Sequence, residues 1–386
     1  MSGFLLATIL PSCLVAFVAG FVVRRLAPRM GLVDRPGHRK IHTRPIPLGG
    51  GLAIWAGVVA PLALGLSWAW LGNATAGPDA VGPLADLQRL VVQHAAGIRQ
   101  QAPDLLFLLG CGTVLMLLGL ADDLRGLDWR LRILVQLGVA VIVVVWKGWK
   151  LTVFVDWPIA TDVLSVLWIV GIVNSFNMLD NMDGLSAGVA AIASTIMAAV
   201  LLMAPDPETH GPQLFVAGFL LVLAGSLVGF LWHNRPPARL FMGDAGSYLI
   251  GFLIAVSTML ATFAGGALPR HAILAPLCAL AVPLYDTISV ILIRLQHRRS
   301  PFEGDNNHFS HRLVDLGLSK SQAVLTIYLT TAACGLGALV LHQVNLTGAI
   351  TVTLSIACLL AVIAILETTA RRQSNDDRIQ QKKGRR

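Results

Sequence analysis

The chain has 386 residues, 55% hydrophobic and 13% charged, with a net charge of +8 at pH 7 and a mean hydropathy of +0.71. Soluble domains carry about 25% charged residues, so this composition excludes an ordinary soluble fold and points to a chain that crosses a membrane many times. The basic excess would suit nucleic acid, but its placement follows membrane topology. Cys13, Cys111, Cys278, Cys334 and Cys358 all lie in apolar runs with neither metal nor disulfide spacing, which makes them packing residues.

Taken in order, apolar stretches long enough to span a bilayer fall near residues 3–23, 48–71, 104–120, 132–148, 161–176, 184–204, 214–232, 246–265, 272–293, 324–342 and 346–366. They predict an all-α polytopic integral membrane protein of about eleven transmembrane helices. The first lacks a basic start and is followed by Arg24 and Arg25, so it reads as a retained helix with its N-terminus outside, not a cleaved signal peptide. Within the long connection 72–103, LADLQRLVVQ predicts a short amphipathic helix, and KLTVFVDW at 150–157 predicts a small outer hairpin. Residues 1–370 form one transmembrane domain. Residues 371–386, ending QQKKGRR, are expected as a basic, disordered cytoplasmic tail beside anionic headgroups.

Eleven spans make the loops alternate, and the basic residues test that alternation. With Arg132 assigned inside, 24 of the 29 Lys and Arg fall on the inner side, against Arg89, Arg99, Lys147, Lys150 and Arg270 outside. A strong positive-inside bias follows, and a shifted helix count would destroy it. The same alternation collects five polar clusters on the inner, cytoplasmic face: 34–45, 121–126, 177–184, 233–247 and 297–317.

The densest is NSFNMLDNMDGLSAGVA at 174–190. Each Asp at the centre of a lipid-facing helix would cost about 2.5–3.5 kcal/mol, so Asp180 and Asp183 belong in a wet cavity or at a membrane surface; a plain inter-helix loop is the bland alternative. Asn174, Asn177, Asp180 and Asp183 recur every third residue, side by side on a helix, and Gly184 permits a break. Asp122 and Asp123 close an apolar helix, where they either meet one ligand or simply end it in solvent. Asp244, between Gly243 and Gly246, precedes a helix start that would favour an anion or serve as a plain N-cap. Carboxylates with amide oxygens and no nearby Cys suit a hard cation such as Mg²⁺, completed by phosphates and water. Lys40, Arg298, Arg299, His308, His311 and Arg312 supply positive charge for a diphosphate. These features predict phosphoryl transfer at the inner membrane surface. A cation-coupled transporter is the rival, but its polar groups should run through the membrane, and no internal repeat supports an inverted-repeat design.

The segments GLVDRPGHRKIHTRPIPLGGG, GLADDLRG, NSFNMLDNMDGLSAG, RPPARLFMGDAGSYLIGF and SPFEGDNNHFSHRLVDLG, in this order, resemble the polyprenyl-phosphate N-acetylhexosamine-1-phosphate transferases over nearly the whole chain. The resemblance implies transfer of a sugar 1-phosphate from a UDP-sugar to undecaprenyl phosphate with release of UMP. It implies Mg²⁺, with Mn²⁺ able to substitute, and a multi-pass protein of the inner membrane. It places Asp122 and Asp123 near the lipid phosphate and makes Asn177 and Asp244 the metal ligands, with Asp180 nearby. It sets Asp183, Asn234 and Phe241 around the uridine, and His308, His311 and Lys40 near the sugar and phosphates. Asn174, Arg299 and Arg312 complete the expected substrate-binding set. The family's loop commonly reads H-x-H-H, whereas this chain has His308-Phe309-Ser310-His311. Ser310 donates a hydrogen bond but carries no charge, a gap Arg312 is placed to fill. This loop looks more like the N-acetylglucosamine branch, which starts O-antigen (lipopolysaccharide), teichoic acid or related glycans, than the N-acetylmuramoyl-pentapeptide branch of peptidoglycan synthesis. A homodimer is expected, though no stretch of small residues localises its face.

Overall fold

A computed structural model describes residues 2–35, 45–71, 83–151, 157–204, 211–261, 269–300, 305 and 307–383. Lys40 and most of the 150–157 stretch lie outside the described residues.

The helices are α1 (Ser2–Leu26), α2 (Gly50–Leu71), α3 (Pro83–Arg125), α4 (Trp129–Val141), α5 (Pro158–Leu179), α6 (Leu185–Met203) and α7 (Leu214–Asn234). They continue with α8 (Gly243–Leu260), α9 (Ala275–Ala279), α10 (Ala281–Gln296), α11 (Phe309–Asp315), α12 (Lys320–Leu341) and α13 (Leu346–Lys383). A π turn, Ile142–Trp146, extends α4, and the two-residue strands β1 (Val33–Asp34) and β2 (Ile46–Pro47) pair antiparallel. Among the described residues ten helices are long and apolar enough to cross a membrane, and Arg270–Ala279 with Ala281–Gln296, bent by 69°, makes up to eleven. The chain is a multi-pass, all-α membrane protein. Pro283 explains the bend, because its ring removes an N–H and crowds the carbonyl four residues back.

Two expectations change at the ends of the helices. The amphipathic stretch at 84–93 and the following span form one continuous helix, α3. Pro103 lies inside it without ending it. The backbone of the basic tail is helical to Lys383 as the continuation of α13; RRQSNDDRIQQKK lacks Gly and Pro until Gly384, so nothing in it stops a helix already running.

The centre of the bundle is α8, buried without interruption from Ala245 to Met259. It packs on α3, α5 and α2, while α7 packs on α1, α6 and α2. Apolar side chains gain little by leaving lipid for one another, so close backbone approach carries the packing. Gly225 and Gly229 of α7 accordingly face the backbone of Ile9 and Cys13 on α1, leaving no room for a side chain. At the end of α3 that meets α8, Gly119 lies directly against the Asp244 carbonyl. This contact brings the acidic ends of α3 and α8 together.

Candidate active site

The polar segments meet where helices end. Helix α5 stops at Leu179, and Gly184, at φ +76°, takes the left-handed turn that starts α6. The three-residue stripe therefore does not face one point. Asn174 turns to α4, donating to the Gln136 side chain at 2.6 Å. Asn177, one turn on, donates to Asp244 Oδ1 at 2.6 Å and to Ser247 Oγ at 3.0 Å. Asp180 accepts from the Gly243 backbone N–H, and Asp183 accepts from the Ala238 N–H at 2.9 Å.

Asp122 and Asp123 have separate partners. Asp123 accepts from the backbone N–H groups of Asp244 (2.9 Å) and Ala245 (3.2 Å). Those two donors belong to the first turn of α8, which would otherwise lack acceptors. Asp123 thus caps α8 from another helix. This corrects the expectation that the Gly-flanked start of α8 offers these amides to a phosphate, because a carboxylate already holds them. Asp122 is buried; it accepts from Leu127 N (2.7 Å), Arg132 Nη1 (2.7 Å) and Tyr248 Oη (3.2 Å). Arg132 also lies 3.8 Å from Asp244 Oδ2, so one guanidinium serves two carboxylates.

Burial pushes the Asp180 carboxyl up to about 7, and the neighbouring Asp123 and Asp183 add to this. So many carboxylates at close quarters favour a bound cation. Asp244, Asn177 and Asp180 offer hard oxygen donors, the amide of Asn177 after rotation. Among the described residues no three His, Cys, Asp or Glu side chains form a metal-binding cluster. This donor set is too sparse for zinc or a fully protein-bound ion, and it fits one that keeps water and substrate phosphates in its shell.

The uridine and histidine residues divide in the same way. Asn234 is 2% exposed and both ends of its amide are used, accepting from Gly184 N at 2.9 Å and donating to Leu240 O at 3.0 Å. It ties the α5–α6 turn to the α7–α8 loop. Phe241 is half-buried, and its N–H donates to Pro47 O at 2.9 Å. His308 begins α11 with Nδ1 3.0 Å from Asp286 Oδ2, while Asp286 Oδ1 accepts from Phe309 N at 2.6 Å. The His308 and His311 rings lie 6.4 Å apart, and burial, with His308 alongside, holds His311 below the usual imidazole range. Ser310 donates to Asn181 Oδ1 and so docks α11 on the acidic turn.

Arg312 does not fill the gap left by Ser310. It is 3% exposed and held by Glu367, the Asn307 carbonyl and the Ser289 hydroxyl. Arg299 is exposed beyond the end of α10.

Arg132, Tyr248, Asp286 and Glu367 belong to this region without having been singled out by sequence. The available signal for Asp286 and Glu367 is a lone carboxylate in or at the end of an apolar span, which must find a partner.

The family described as glycosyl transferase family 4 matches residues 105–262, which carry the acidic cluster but stop short of α11. A Bacillus subtilis (strain 168) protein named "Probable undecaprenyl-phosphate N-acetylglucosaminyl 1-phosphate transferase" is 31% identical over 344 residues, 87% of this chain and 84% of its own. The decaprenyl-phosphate N-acetylglucosaminephosphotransferase of Mycobacterium tuberculosis (strain ATCC 25618 / H37Rv) is 32% identical over 351 residues, 85% of this chain and 80% of its own. The undecaprenyl-phosphate alpha-N-acetylglucosaminyl 1-phosphate transferase of Escherichia coli (strain K12) is 26% identical over 324 residues, 81% and 77% of the two chains. With matches of this length and identity, and with the polar segments gathered at one set of helix ends, the chain belongs to the polyprenyl-phosphate sugar-phosphate transferases of glycosyl transferase family 4.

Proposed function

We propose that the protein transfers N-acetylglucosamine 1-phosphate from UDP-N-acetylglucosamine to undecaprenyl phosphate at the cytoplasmic face of the inner membrane, starting a cell-envelope polysaccharide. The observation that carries this reading is the junction of α3, α5 and α8. There, Asp122, Asp123, Asn177 and Asp244 share one hydrogen-bonded network with Arg132. Similarity to relatives named for this reaction supports the substrates.

An oxygen of the lipid phosphate forms a bond to the sugar-linked phosphorus of the UDP-sugar. The bond from that phosphorus to the bridging oxygen breaks, and UMP leaves with the electron pair. A phosphate monoester has a second pKa near 6, so at neutral pH the nucleophile is mostly dianionic and needs no general base. Asp122 and Asp123 already accept backbone and guanidinium hydrogens, which suits positioning. Asp244, Asn177 and Asp180 would hold Mg²⁺, which supplies charge neutralisation to the diphosphate when bound. Asp123 fixes the first turn of α8, and so sets where Asp244 stands. Asp286 orients the His308 ring, whose Nε2 is then directed at substrate.

The test is UMP release by purified protein in detergent with undecaprenyl phosphate, Mg²⁺ and either UDP-N-acetylglucosamine or UDP-N-acetylmuramoyl-pentapeptide. UMP from the first sugar alone, lost in Asp244→Asn and on chelation, is expected. UMP from the second would keep the chemistry and overturn the choice of sugar. No UMP from either would overturn the reading.

A further inference from the structure

The last helix reverses the usual burial pattern. In α13, from Leu346 to Thr368, only Ala349 and Glu367 are buried, while Leu354, Val362, Ile365 and Leu366 are all more than half exposed. The one carboxylate between Leu346 and Thr368, Glu367, faces the protein at 4% exposure. Removing a carboxylate from water costs several kcal/mol unless close partners repay it. Glu367 has two. Its Oε2 lies 2.9 Å from Arg312 Nε and accepts from Tyr285 Oη at 3.0 Å.

Both partners lead to the histidines. Arg312 follows His311 in α11, and its backbone N–H bonds to the His308 carbonyl at 3.0 Å. Tyr285 precedes Asp286, the residue that holds His308, and its ring meets Phe309 edge-on at 5.5 Å. Glu367 thus braces α10 and α11 from the α13 side. Packing alone does not do this. An apolar cavity of about 670 Å³ separates α10 from α13, lined by residues including Leu284, Ile288, Ile356 and Leu360, and the ion pair stands in its wall. Compared with apolar residues of similar volume, a buried pair contributes little net stability; what it does supply is a fixed geometry.

We propose that Glu367 is a positioning residue for the transfer reaction: through Arg312 and Tyr285 it fixes α11, and with it the placing of His308 and His311. The inference rests on the reading that these histidines meet the sugar diphosphate. Its test measures UMP release at saturating undecaprenyl phosphate for Glu367→Gln, Glu367→Leu and the double variant Glu367→Leu/Arg312→Met, with the thermal midpoint in detergent and amide hydrogen exchange over residues 307–316. For the two leucine variants we expect a fall in kcat of tenfold or more, KM for undecaprenyl phosphate within twofold of wild type, and faster exchange at the Phe309 amide. The double variant should melt close to wild type. The shape-preserving Glu367→Gln should retain folding and recover part of the loss. Wild-type kcat in the double variant, or losses that only track a lowered thermal midpoint, would overturn the proposal while leaving the reaction intact. A silent wild type would overturn the reaction, and this inference with it.

Discussion

Asp286→Asn isolates the orientation of His308 from every other feature of the site. Asp286 is 0% exposed and holds two hydrogens, Phe309 N–H at 2.6 Å and His308 Nδ1 at 3.0 Å. Asparagine keeps one carbonyl oxygen, which can still serve Phe309. Its NH₂ then faces the imidazole and requires Nδ1 to accept, which moves the ring proton to Nε2 and inverts what His308 presents to substrate. A hydrogen bond to a charged group is worth about 1.5–3 kcal/mol, and about 1.4 kcal/mol is a factor of ten in rate. Loss of orientation alone should therefore lower kcat about 10–100-fold. If proton transfer at His308 contributes, the loss extends toward the 10²–10⁴-fold range of general acid–base catalysis. The assay is steady-state UMP release, paired with the thermal midpoint to show that the variant is folded. Because the substitution is isosteric and one bond survives, the midpoint should change little. Turnover within twofold of wild type in a folded Asp286→Asn protein would refute the reasoning, since the Asp286–His308 contact would then have no bearing on the reaction.

Removing the cap on α8 should separate Asp123 from Asp122. Asp123→Ala leaves the Asp244 and Ala245 amides without an acceptor, costing about 0.5–2 kcal/mol, read as a lowered thermal midpoint together with lost turnover; near wild-type turnover in Asp122→Asn and Asp123→Asn across pH 6–9 would show the pair is not catalytic. Gly119→Val drives a side chain into the Asp244 carbonyl, and should cost about 1–3 kcal/mol by overpacking and abolish activity, measured by melting and UMP release. With its carboxyl raised to about 7, Asp180 makes the native protein bind more protons than the unfolded chain above the unfolded carboxyl's pKa of about 4. The stability of metal-free protein should fall as pH rises through that window and level off beyond about 7. Thermal melts in chelator should show this slope flattened in Asp180→Asn.

Much of this architecture is legible in the chain because the membrane makes composition decisive. A backbone in hydrocarbon must satisfy its own hydrogen bonds, so each apolar run of sufficient length becomes a helix, and the predicted spans correspond to those observed, including the bent pair at Pro283. Charges avoid lipid, so the polar clusters at 121–126, 177–184 and 233–247 are legible as helix ends, where the structure has them. Sequence spacing did not say which of those residues face one another. Asn174, Asn177, Asp180 and Asp183 look alike at three-residue steps, yet they go to α4, α8, the start of α8 and the α7–α8 loop, because α5 ends at Leu179.

The partners were decided only by the packing of distant segments. Asp123 caps α8 across 121 residues of chain, and Gly119 permits it by letting the helices touch. Asp286 and Glu367 stand in spans where sequence shows a lone acid and no partner. Arg312, well placed in sequence to stand in for a histidine, turns inward because the buried Glu367 carboxyl lies there, 2.9 Å from its Nε. The sequence alone determined the membrane class, the spans and the inventory of reactive groups, since these follow from local hydropathy. Tertiary structure alone decided which carboxylates hold backbone and which hold arginine, since a charge leaving water must be met by whatever the fold brings within about 3–4 Å.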